Sequence, residues 1–189
     1  MRELALPAMV APLDGPAAAK AADLAAFEQI IQRHERMVLV TALRLLGNLH
    51  DAQDASQDVF LKLYRNLDKI GNAANFSGWL YRVTVNVCHD LRKKRPASVP
   101  VEDAARMSTG GADPQQETIE AERRRVLQLS LRILSERERA ALVLRDLEGL
   151  STEEVARALG SSEATVRSQV SKARVKVKDF MERYFRRRL

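Results

Sequence analysis

Apolar residues in this chain recur every three or four positions, and nowhere do they alternate with period two for long. That spacing gathers them on one side of an α-helix, so it predicts an all-helical protein. Over residues 24–46 the stripe is Phe27, Ile30, Ile31, His34, Val38, Ala42, Leu45 and Leu46, stopped by Gly47 and Asn48. Asp51 is placed to cap a second helix with Ala52, Ala55, Val59, Leu63 and Leu67 inward and Asp54, Gln57, Asp58 and Lys62 outward. The turn-rich stretch IGNAANFSG at 70–78 leads into WLYRVTVNVCHDLRKKR, with Trp79, Leu80, Val83 and Val87 on one side. Trp79 reads as core because it shares that stripe, and Pro96 ends the helix.

Residues 96–117 hold Pro, Ser, Gly, Asp and Glu with few large apolar groups, too little to bury a core of their own. Beyond them residues 119–134 read as a helix. Ser135 with Glu138 forms a capping box for a helix to Leu147, and Ser151 with Glu154 forms another. The expected architecture is all-α: two small helical domains joined by a flexible linker. Its parts are a flexible tail over 1–22, a first domain over 23–95, the linker over 96–117 and a second domain over 118–189.

Composition narrows the function. A net charge of +6 and a pI near 9.8 favour a polyanionic partner. The single cysteine, Cys88, has no partner for a disulfide, and His34, His50 and His89 are scattered, so neither metal nor cofactor is expected. No apolar run approaches the ~20 residues that cross a bilayer, and Pro7, Pro12, Asp14 and Pro16 interrupt any signal-like core. A cytoplasmic protein with no membrane insertion is expected. It is not expected to be an enzyme, because no P-loop, activated nucleophile or convergent metal ligands appear.

The stretch GLSTEEVARALGSSEATVRSQVSKARVKVK supplies the sharpest motif. A helix from Ser151, a turn at Gly160 and Ser161, and a helix from Ser162 have the spacing of a helix-turn-helix. Val155, Ala156 and Leu159 would pack on Val166, Val170, Ala173 and Val177. The outward face then carries Arg167, Ser168, Ser171, Lys172, Arg174 and Lys178, groups suited to base edges and phosphates in a major groove. Thr165 and Ser162 lie at the helix start, where N–H groups favour a phosphate. One such module buries only about 600–1,000 Å² on DNA, so a second grip is needed.

The segments DAQDASQDVFLKLYRNLDKI, FSGWLYRVTVNVCHDLRKKR and LVLRDLEGLSTEEVARALGSSEATVRSQVSKARVKVK, in that order, resemble the extracytoplasmic-function sigma factors of bacterial RNA polymerase. The resemblance implies a region 2 domain, a region 4 helix-turn-helix domain and a role as an alternative sigma factor in transcription initiation. It implies docking of Asp54, Gln57 and Asp58 on the clamp helices of the polymerase β′ subunit, with further contact to the β subunit. It places a flipped minus-10 base near Asn66, Ile70, Val83 and Asn86, with Arg82, Arg92, Lys93, Lys94 and Arg95 on the DNA backbone. Minus-35 contacts would fall on Thr165, Arg167, Ser168, Gln169, Ser171, Lys172 and Arg174. Family members often carry Arg where Gln169 stands and a bulky residue where Ser171 stands. Control by an anti-sigma factor is also implied, as is a linker that threads towards the polymerase active centre.

Two other readings stand beside this one. A stand-alone dimeric helix-turn-helix regulator predicts self-association and palindromic sites, and leaves the first domain unexplained. A protein-only sigma mimic should lack the basic face on the last helices, which this chain has.

Overall fold

The computed structural model describes residues 16–66, 76–94 and 114–186, with side chains described from residue 27 in the first segment and from 121 in the last. Among them every regular element is helical: α1 Pro16–Leu46, α2 Leu49–Tyr64, α3 Phe76–Lys94, α4 Pro114–Arg132, α5 Glu136–Leu142, α6 Thr152–Leu159 and α7 Glu163–Arg186. A π-helical turn, Val143–Leu147, follows α5 directly. The chain divides into two compact units, Met1–His34 and Glu35–Leu189. In the first, Phe27, Ile30, Ile31 and His34 are half-buried.

Helix α1 begins at Pro16, inside the stretch expected to be a tail. Proline suits a first turn, where its missing N–H has no partner to lose. At the other end Gly47 takes φ 84° and its N–H donates to the Leu43 carbonyl at 2.8 Å. The cap of α2 is then Asn48 and not Asp51. Asn48 is extended, and its side-chain oxygen accepts the Asp51 N–H at 2.7 Å while its amide donates to the Asp51 carboxylate at 2.7 Å. Asp51 sits in the first turn instead, where its charge meets the positive end of the helix.

Within the second unit α2 packs on α3, burying Ala52, Ala55, Val59, Phe60 and Leu63 on one helix and Leu80, Tyr81, Thr84, Val87 and Cys88 on the other. Each fully buried Leu or Val in such a core contributes about 2 kcal/mol. The buried stripe of α3 is therefore rotated from the one expected. Trp79 and Val83 are only half-buried, and the Trp79 ring stacks on Phe76 with centroids 6.4 Å apart. The displacement has a cause: Tyr81 and Thr84 are allowed inside because their hydroxyls donate to Glu148 at 3.1 Å and to the Leu80 carbonyl at 2.8 Å.

The following elements gather around α7, which meets α4, α5 and α6. Both capping boxes form. Ser135 and Glu138 exchange bonds at the start of α5, and Ser151 and Glu154 do so at the start of α6. Residues 95–113 lie outside the described residues, and α4 starts at Pro114, within the segment expected to be linker. Helix α3 lies directly against α6, so the two sequence blocks are in contact.

Candidate nucleic-acid interface

The helix-turn-helix is built by three local devices. Gly160 ends α6 in the left-handed region at φ 58°, and the Ser161 N–H reaches back to the Ala156 carbonyl at 2.9 Å. That bond reverses the chain in a tight, glycine-dependent turn. Ser162 then caps α7, its hydroxyl accepting the Thr165 N–H at 3.1 Å and lying 2.8 Å from the Thr165 hydroxyl. Val155, Ala156 and Ala158 of α6 and Val166, Val170 and Ala173 of α7 are buried. Leu159 and Val177, expected in the same seam, are half-buried.

This packing turns Thr165, Arg167, Ser168, Ser171, Lys172 and Arg174 to solvent and leaves Gln169 half-buried. Their charges are not equivalent. Arg167 donates to Glu163 one turn back at 3.0 Å. Arg174 is clasped by Asp146 of the π turn, Nε to Oδ2 at 2.8 Å and Nη2 to Oδ1 at 2.7 Å. Lys176, on the inner side, donates to both oxygens of the buried Glu138 at 2.8 Å. Lys172 has no ion pair or hydrogen bond with any described residue, so its ammonium is available to an incoming anion.

A second basic stripe runs along α3. Arg82, Asn86 and Lys93 fall within about 40° of one another around the helix, and all three are exposed, as is Lys94. Val83 and Arg92 are half-buried. Arg92 is engaged, its Nε lying 3.3 Å from Glu136 and its Nη1 donating to the Leu45 carbonyl at 3.4 Å. Asn66 closes the end of α2, donating to the Lys62 carbonyl at 2.7 Å. Ile70 and Arg95 lie outside the described residues.

On α2, Asp54 is half-buried and 3.5 Å from His50, while Gln57 and Asp58 are exposed. The same face carries two groups that sequence reasoning missed. Leu61 is 51% exposed and Tyr64 57% exposed, and with residues 54, 57 and 58 they follow the spacing of one helical side. Both had a signal in that spacing, but Leu61 adjoins the inward Leu63 and Tyr64 reads as amphipathic. His50, Asp51 and Asp54 approach one another closely. Asp51 is committed to Asn48, and nothing at the cluster points to an ion. Burial pushes the Cys88 thiol up to about 12, which makes it a packing group and not a nucleophile. Among the described residues no helix is long and apolar enough to cross a membrane.

Two family descriptions match: Sigma-70 region 2 over residues 30–97 and Sigma-70 region 4 over residues 124–177. The chain is 35% identical over 163 residues to the ECF RNA polymerase sigma factor SigM of Mycobacterium tuberculosis, covering 85% of this chain and 80% of that one. It is 32% identical over 167 residues to the ECF RNA polymerase sigma factor SigE of Mycolicibacterium smegmatis, covering 86% of this chain and 64% of that longer one. Among solved structures it resembles CnrH in complex with the cytosolic domain of CnrY, with TM-score 0.63, 26% identity, and coverage of 88% of this chain and 94% of that chain.

Proposed function

The chain belongs to the extracytoplasmic-function sigma factors of RNA polymerase, and we propose that it binds core polymerase and directs it to a restricted set of promoters. The observation that carries this is the presence of both sigma regions in one chain, each with its own exposed polar or basic face. A stand-alone dimeric regulator leaves the region 2 match and the face of α2 without a purpose.

In this reading residues 23–95 form the polymerase and minus-10 domain, and residues 118–189 the minus-35 domain. Asp54, Gln57 and Asp58 meet the β′ clamp helices, and Leu61 and Tyr64 supply the apolar centre of that contact. Exposed apolar groups rimmed by polar ones are what a protein interface uses as anchors. Arg82, Arg92, Lys93, Lys94 and Arg95 follow the minus-10 backbone, with Asn66, Ile70, Val83 and Asn86 around the displaced base. Unstacking a base costs a few kcal/mol, which pocket contacts offset without nucleotide hydrolysis. Lys172 and Arg167 meet phosphates of the minus-35 element, and Thr165, Ser168, Gln169 and Ser171 give the short hydrogen bonds. Arg174 works beside them, from its place on Asp146.

The chemistry of chain growth belongs to the polymerase, so the protein itself is not an enzyme, and it acts in the cytoplasm with the polymerase. An anti-sigma factor controls it. That inference is supported by the likeness to CnrH, which was solved in complex with the cytosolic domain of CnrY. The test is size-exclusion chromatography with purified bacterial core polymerase. The chain should co-elute with core, and Asp58→Lys or Tyr64→Asp should abolish this. Elution as a homodimer with no association with core would overturn the proposal in favour of the stand-alone regulator.

A further inference from the structure

Two arginines from different helices converge on one acceptor. Nη1 of Arg92 donates to the Leu45 carbonyl at 3.4 Å and Nη1 of Arg139 donates to the same oxygen at 2.9 Å, so two guanidinium groups lie side by side. Arg139 is only 3% exposed. Its other bonds go to the carbonyls of Leu131, Arg132 and Leu134 around the end of α4, and no carboxylate of a described residue pairs with it. Carbonyl dipoles offset part of a buried charge but leave its sign unopposed. Those bonds also leave one N–H of its Nη1 without an acceptor. Arg92 has a carboxylate, but a shared one: Glu136 lies 3.3 Å from Arg92 and 2.9 Å from His89. Arg137, the next residue on α5, is exposed and has no ion pair or hydrogen bond with any described residue.

All three arginines line one cavity of about 390 Å³, and Glu136 is the only carboxylate in its wall. Three arginines less one glutamate leave the wall with a formal charge of +2. The cavity is open to solvent, and Asn86 and Thr165 of its lining are exposed, so a small molecule can enter without any helix moving. Val85 and Leu159 give it an apolar side, while the amides of Asn86 and Gln169 each offer a donor and an acceptor. Its volume falls in the range of about 300–1,000 Å³ that small-molecule sites occupy.

We propose that this cavity is a binding site for a small organic phosphate, with the phosphate on Arg92, Arg137 and Arg139 and the organic body against Val85 and Leu159. Adjacent guanidinium groups repel one another, and an oxyanion between them replaces that repulsion with charge-assisted hydrogen bonds. The planar fork of arginine matches a phosphate edge. A phosphate monoester carries about −1.5 to −2 charges at pH 7, which balances the wall, whereas a lone carboxylate carries one. The site requires neither polymerase nor promoter DNA, and it stands apart from the sigma factor reading.

The experiment is isothermal titration of the full chain with adenosine 5′-monophosphate, inorganic phosphate and adenosine at constant ionic strength. The nucleotide should bind saturably at one site, phosphate more weakly, and adenosine not at all. Arg137→Gln, an exposed change that breaks no internal bond, should weaken the nucleotide about tenfold, the effect of one lost hydrogen bond to a charged group. Arg186→Gln removes the same charge from the far end of α7 and should leave the affinity unchanged. If Arg137→Gln loses helicity, Arg92→Gln decides on the same criterion. Absence of saturable nucleotide binding overturns the site. So does an affinity that falls in Lys172→Ala but not in the cavity variants, since the phosphate would then sit on the recognition helix. Equal affinity for adenosine and the nucleotide overturns the assignment of the arginines.

Discussion

Arg174 lies on the outer side of α7 and holds Asp146 of the π turn through two parallel bonds of 2.7 and 2.8 Å. The pair ties the recognition helix to the element before the helix-turn-helix, at a position where the sequence alone suggests a free DNA contact. Its neighbour Lys172 has no such tie to any described residue. The two cations should therefore respond differently to salt. Lys172→Ala should flatten the slope of log affinity against log salt by about 0.9, the value for one lost phosphate contact. Arg174→Ala should weaken binding with a smaller change in slope, because one of its roles is to hold α7 in place. Equal slopes for Lys172→Ala and wild type would remove Lys172 from the contacts.

Gly160 has φ 58° and nothing within 4 Å of where a Cβ would sit. Its replacement by alanine meets no clash, so the cost is conformational alone, about 1 kcal/mol. For a chain of this size that lowers the melting temperature by about 2–4 °C. Thermal unfolding followed by circular dichroism checks it, and no change would mean that the turn relaxes out of the left-handed region.

Thr41 and Thr84 are both fully buried, and only one hydroxyl is satisfied. Thr84 donates to the Leu80 carbonyl at 2.8 Å, whereas the Thr41 hydroxyl has no hydrogen-bond partner among the described residues. Thr41→Val should stabilise the protein by about 1 kcal/mol, since it removes a buried polar group that bonds to nothing. Thr84→Val should gain less. Denaturant unfolding of both variants tests the contrast, and a destabilised Thr41→Val would show that the hydroxyl has a partner in solution.

Much of the helical framework was legible before any coordinates. Ser135 with Glu138, Ser151 with Glu154 and Gly160 each carry a local signal, and all three form the expected terminus. The seam of Val155, Val166, Val170 and Ala173 was equally plain, because its residues are apolar and correctly spaced. Trp79 misled for the converse reason: periodicity counts apolar residues, but Tyr81 and Thr84 take the inner positions by satisfying their hydroxyls. The cap of α2 went to Asn48 because Gly47 had already turned the chain, leaving Asn48 extended. Glu148 gave no sign at all, since its partners Arg44 and Tyr81 stand 104 and 67 residues away.

Glu138 links stability to pH. Its hydrogen bonds to Lys176 and then to the Ser135 main chain hold its carboxyl below the ordinary value of 4.5. A lowered folded-state value means that the contribution is present above the ordinary value and is lost as pH falls through the folded one. Melting temperature should therefore fall below about pH 4.5 more steeply in wild type than in Glu138→Gln. Parallel acid limbs for the two proteins would contradict the assignment.

A promoter-directing subunit of RNA polymerase must change where transcription starts, and run-off transcription on genomic fragments reads that change. Purified core polymerase is assayed with and without the protein, and with the variant carrying Asp54→Lys and Asp58→Lys. Start sites should appear only with the wild-type chain and disappear with the charge-reversed one. DNA binding without any new transcript, or transcripts indifferent to Asp54 and Asp58, would contradict it.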